Sequence, residues 1–226
     1  MAEKPRVKAP KKRDAPKSGD GSDRTLLMVA GIVVVVALGA AAGGFFLLSG
    51  GSSPDAAGVR TKLEAAGCTL QAVKAEKGAH TLQPNGKANW NTDPPTSGPH
   101  FGFNPDGTPG TIIWGAYTEP VQLARVVHNL EHGGIYILYG NKVSEETIAQ
   151  LQTFYDNHTT GTVMAPYPKL KDKIALGAWV QDGSKATGYL AKCSEFDEGA
   201  FDAFFAGFHF RGPERFPASS LLPGGN

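Results

Sequence analysis

The feature that most constrains this chain is a stretch, residues 25–54, without one charged side chain. Within it, Leu26–Leu48 is a run of 23 mostly apolar residues. As a helix it would extend about 35 Å, enough to cross a bilayer with some tilt. A cleaved signal peptide has a shorter apolar core, about 7–15 residues, and usually a shorter basic leader. No cysteine lies in or just after the run, which excludes a lipid-modified cysteine anchor. The expectation is an uncleaved transmembrane signal anchor with the lipid bilayer as its partner. Residues 1–25 carry eight Lys/Arg and four Asp/Glu. That basic excess predicts a single-pass cell-membrane protein with its N-terminus in the cytoplasm and its C-terminal domain outside.

The rest of the organisation follows from this division. Residues 1–25 hold almost no apolar side chains and read as a disordered basic cytoplasmic tail. Residues 26–48 are the anchor and 49–55 a Gly/Ser/Pro linker. Residues 56–226 form the extracytoplasmic domain. The 201 residues after position 25 hold 14 basic and 17 acidic side chains, so no basic field exists for nucleic acid. Cys68 and Cys193 are the only cysteines, and both fall in the exported part. An oxidising compartment predicts that they pair, which by loop entropy would stabilise the fold by roughly 4–5 kcal/mol. The alternative is a pair of thiolate metal ligands.

Within the domain, Asp55 is placed to cap a helix that ends near Ala66, and Thr69–Val73 reads as a strand. Glu119-Pro120 opens a helix over Val121–His132. A strand Ile135–Tyr139 follows. Ser144 caps a second helix with Ile148, Leu151, Phe154 and Tyr155 on one stripe. Residues 161–166 and 174–180 read as strands. Ser194-x-x-Asp197 has capping-box spacing and opens a helix bearing Phe201, Phe204, Phe205 and Phe208 at core-facing positions. The tail from Gly212 reads as irregular. Short helices and strands mix without a βαβ rhythm, so the expected class is α+β, one domain with a long Pro/Gly-rich loop.

That loop, Pro84 to Gly110, has 6 Pro, 5 Gly and 4 Asn in 27 residues. Such composition disfavours regular structure. Long irregular segments inside domains are commonly functional. Trp90, Phe101, Phe103 and Trp114 would anchor it by burial. At its centre, Asp93-Pro94-Pro95-Thr96-Ser97-Gly98-Pro99-His100 presents a histidine on a stiff support.

The second chemical motif is His128-Asn129-Leu130-Glu131-His132-Gly133-Gly134. His128 and His132 are four apart, so they would share one helix face and could reach one ion. The letters also spell H-x-x-E-H, the inverted zinc-protease signature. The bland reading of a histidine here is a cap on the helix dipole. His80 is a weaker candidate, and His158 reads as a capping histidine.

The segments Asn91–His100, Val127–Gly134 and Ala165-Pro166-Tyr167-Pro168 resemble a bacterial family, the domain of unknown function numbered 3105. The resemblance spans roughly His80 to Pro217. It implies a membrane-anchored, surface-facing domain in which His100, His128 and His132 form a shared constellation, and it names no reaction.

Three readings follow. The first is a transition-metal module, copper or zinc, with His100, His128 and His132 as ligands. Its fourth position would fall to Glu131, Asp93, Met164 or water; Met164 would favour copper and a carboxylate zinc. The second is a zinc hydrolase with Glu131 as general base and a third ligand such as Glu198. Against it, the glycines end the helix at the motif. The third is a non-catalytic envelope interaction domain in which the histidines form a hydrogen-bond network.

Overall fold

In a computed structural model of the chain, residues 55–225 are described, and they form an α+β domain with four helices and a mixed six-stranded sheet. Residues 1–54, including the apolar run 26–48, lie outside the described residues, as does Asn226. Among the described residues no helix is long and apolar enough to cross a membrane.

The helices begin where polar caps supply acceptors for free N–H groups. Asp55 accepts from the Gly58 amide at 2.8 Å and opens α1, Ala56–Ala65. Ser144 accepts from Thr147 at 3.1 Å and opens α3, Glu145–Asn157. Asp197 accepts from Ala200 at 2.8 Å and opens α4, Glu198–Phe208. The expected capping box is therefore displaced: Ser194 instead accepts from Lys173 Nζ at 2.7 Å. α2 runs Leu123–Glu131, two residues later than expected, after Gln122, whose side chain makes no cap bond.

The strands are β1 (Thr69–Lys74), β2 (Gly115–Ala116), β3 (Ile135–Tyr139), β4 (Thr162–Pro166), β5 (Ile174–Asp182) and β6 (Lys185–Cys193), in the order β1-β6-β5-β3-β4-β2. The β1–β6, β6–β5 and β5–β3 pairs are antiparallel, while β3–β4 and β4–β2 are parallel. Helix α3 joins the parallel pair β3 and β4, so one βαβ unit exists where none was expected.

Each face of the sheet has its own apolar layer because successive side chains point to opposite sides. On one face Ile135, Ile137, Met164, Leu176 and Ala191 pack with Leu63, Leu151 and the buried phenylalanines of α4. On the other, Tyr136, Leu138, Val163, Ala165 and Trp179 pack with Val126, Val127 and Leu130 of α2. Covered on both sides, β3 has no exposed residue, as a continuous apolar run requires. Phe201, Phe204 and Phe208 are fully buried, each contributing about 1.5–3 kcal/mol in transfer free energy. Cys68 and Cys193 are joined in a disulfide across 125 residues, tying the end of α1 to the end of β6.

Candidate metal centre

The site forms on the α2 face of the sheet, where three segments meet. The last turn of α2 supplies His128 and Glu131. Glycine ends that turn for a steric reason: Gly133 has φ +90°, a conformation a side chain resists. The turn is then braced from outside. Asn129 exchanges two hydrogen bonds with the Ile112 backbone, both at 2.9 Å. Arg125 lies 4.6 Å over the Phe101 ring and donates to the Gly110 and Thr111 carbonyls.

The proline-rich segment supplies His100. Its backbone is fixed by buried hydroxyls rather than by regular structure. The Thr96 amide donates to Thr92 Oγ1 at 3.0 Å, the Glu76 amide to Ser97 Oγ at 3.0 Å, and Trp90 Nε1 to the Pro99 carbonyl at 3.0 Å. Gly98, at φ +111°, fits against Glu76 and Trp90 where a Cβ would lie 3.0–3.1 Å from both. The third segment follows β1. The His100 amide donates to the Ala79 carbonyl at 2.9 Å, and the Leu82 amide to the His100 carbonyl at 3.1 Å. These two bonds flank His80 and set it beside His100.

His80, His100, His128 and Glu131 each offer one ligand atom, and these four atoms lie within 4.8 Å of one another. Tautomers follow from the partners, since a carbonyl oxygen only accepts. His100 Nδ1 must donate to the Gly98 carbonyl at 2.8 Å, and His128 Nδ1 to the Phe101 carbonyl at 2.9 Å. In the neutral rings both Nε2 atoms are then bare lone pairs. His100 Nε2 lies 2.9 Å from Glu131 Oε2 yet makes no properly directed hydrogen bond, and it is fully buried. His80 Nε2 lies 3.4 Å from the same oxygen.

Protonation favours the same chemistry. Burial, with the charges of His132 and His100 adding to it, pushes His128 down to about 3. Burial pushes His132 down to about 4. For Glu131 burial acts upward, but the adjacent histidines, His100 foremost, outweigh it and hold the carboxyl below its usual range. At neutral pH the centre therefore presents an ionised carboxylate beside the neutral imidazole of His128.

The expected ligands divide accordingly. His100 and His128 come together, and Glu131 joins them as a fourth ligand atom. His80, the weaker candidate in sequence, takes the place expected of His132. His132, the C-cap of α2, is not one of these four. Its ring lies 4.6 Å from that of His128, 4.0 Å from that of Phe216, and its Nε2 3.5 Å from Glu214. The tail that carries those partners is irregular but firmly bonded. The Glu214 amide donates to the Glu131 carbonyl at 2.9 Å, and the Gly224 amide to the Trp114 carbonyl at 3.1 Å. Met164 lies across the sheet in the other apolar layer, because its neighbours Val163 and Ala165 take the α2 side. Asp93 accepts from the Tyr167 hydroxyl and pairs with Lys169 at 3.7 Å. Glu198 is exposed at the start of α4, a helix of the opposite layer. His158 caps α3, its Nδ1 donating to the Phe154 carbonyl at 2.9 Å.

Comparison with known proteins adds a family. The family model described as "Protein of unknown function (DUF3105)" matches residues 81–220, more than half of the chain. The chain belongs to this family. The DUF3105 match contains His100, His128 and Glu131 and begins one residue after His80. No curated protein and no solved structure matches the chain.

Proposed function

We propose that this domain binds a transition metal ion through His80, His100, His128 and Glu131. One observation carries the reading. Two of the three imidazoles are held at Nδ1 by backbone carbonyls, which turns their Nε2 atoms into one cluster with the Glu131 carboxylate. A hydrogen-bond network would set a donor against each acceptor. Here a buried ring nitrogen faces a carboxylate without a directed bond between them. Outer hydrogen bonds from Nδ1 to a carbonyl are the usual way protein metal sites orient histidine ligands.

Zinc is the ion this ligand set suits best. Three imidazoles and one carboxylate are borderline donors, and Met164, the soft ligand that would select copper, lies in the other layer of the domain. Glu131 acts as a ligand in this reading. A hydrolase would need it beside the ion, free to accept a proton. Location belongs to the same proposal: the domain works outside the cell membrane, anchored by residues 26–48. The Cys68–Cys193 disulfide supports an oxidising compartment.

Metal analysis of the full chain, purified in detergent without chelators, tests the reading. One equivalent of zinc is expected for the wild type and a large loss for His128→Ala and Glu131→Gln. Equal trace metal in all three, with a melting temperature indifferent to zinc and chelator, would overturn it and return the cluster to a polar network.

A further inference from the structure

The four ligands are not equivalent. Side-chain exposure is 0% for His100 and 10% for Glu131, and His128 is also buried, whereas His80 is 33% exposed. His100 and His128 are each pinned through Nδ1 to a backbone carbonyl. Among the described residues His80 Nδ1 makes no such bond, and its Nε2 lies 3.4 Å from Glu131 Oε2. Glu131 and His128 stand on a helix and His100 on a segment braced by buried hydroxyls. His80 stands between β1 and the proline loop, its backbone held by the flanking bonds at Ala79 and Leu82. Its backbone is therefore fixed without any carbonyl holding the ring itself. Besides the rings of His100 and His128 and the Gly102 backbone, the ring meets the edge of Phe103, 5.1 Å away, and Phe103 is 58% exposed.

Building on the metal reading above, we propose that His80 is the exchangeable ligand of the centre. His100, His128 and Glu131 retain the ion. His80 swings outward past Phe103 and opens one coordination position to an external nitrogen donor of the imidazole type. A bare ring nitrogen is the donor this position already accepts, so exchange replaces one imidazole by another without changing charge at the ion. The centre then passes metal through the His80 side, because the other three ligands are closed off from solvent.

Cobalt(II) loaded into the full chain gives a visible spectrum that reports coordination. Wild type and His80→Ala should both hold one equivalent. The variant should lose cobalt to excess chelator on the order of 10–100 times faster, a change of the size typical for weakened metal shells. Free imidazole should restore its four-ligand spectrum and slow its release. The peptide Gly-His-Gly in a parallel arm shows whether the position also admits a histidine held on a chain. Phe103→Ser, which leaves all four ligands in place, should speed release with unchanged stoichiometry. The assignment is overturned if His80→Ala fails to hold metal as completely as His128→Ala, or if imidazole leaves its spectrum unaltered. A wild type that takes up no cobalt would instead overturn the metal reading itself.

Discussion

At the residue scale the centre depends on which atom of each ring faces inward. Glu131→Gln removes the charge and keeps the shape, so its effect isolates the ligand role. Zinc affinity, measured by competition with a chelator, should fall on the order of 10–100-fold while the melting temperature of the metal-free chain changes little. Met164→Leu is the matched contrast. It swaps one buried apolar side chain for another of similar volume, so zinc affinity should be unchanged and stability should drop by less than about 1.5 kcal/mol in urea unfolding. His128 and Glu131 were legible in sequence because helical spacing places them in one turn, and His100 because prolines surround it. His80 carried no such sign. It lies in a segment without periodicity, and its approach to the others depends on backbone bonds between residues 79–82 and 100. His132 keeps the face its spacing predicts, its ring 4.6 Å from that of His128, while its Nε2 lies 3.5 Å from Glu214.

At the element scale, helices announced themselves through caps and periodic apolar stripes, and α1 and α3 begin at the residues that side-chain chemistry predicts. Ser144→Ala should therefore cost about 1 kcal/mol in urea unfolding and leave metal binding intact, since α3 packs on the opposite layer. β6 was not read. Its residues Lys185–Cys193 lack clean alternation, with Gly188 and Ala191 among them. A usable signal lay just before it: Gly183-Ser184 is the two-residue hairpin loop between Asp182 and Lys185, and Gly183 adopts φ +55°. β2, two residues long, leaves no pattern to read.

At the scale of the whole molecule, the sheet separates structural staple from chemistry. The disulfide half-cystines lie in the layer with α1, α3 and α4, while the ligand helix packs in the other. Cys68→Ala with Cys193→Ala should lower unfolding free energy by about 4–5 kcal/mol, yet zinc stoichiometry should persist below the new transition. His209 adds a pH dependence away from the ligands. Burial pushes it down to about 4, against about 6.5 when unfolded, so the unfolded chain binds the extra proton between those values. Its contribution is intact above about pH 6.5 and fades as pH falls toward 4. Urea midpoints of the metal-free chain should decline over that window, and less steeply in His209→Gln. The C-terminal stretch carries a last consequence. Glu214 closes the final carbonyl of the ligand helix, and Phe216 roofs His132, from more than eighty positions downstream. A protease that nicks the chain near Arg211 would leave every ligand on the larger fragment while uncapping the turn that aims two of them. In the proposed metal reading, integrity of the last fifteen residues is thus a condition for retention, although none of them is a proposed ligand.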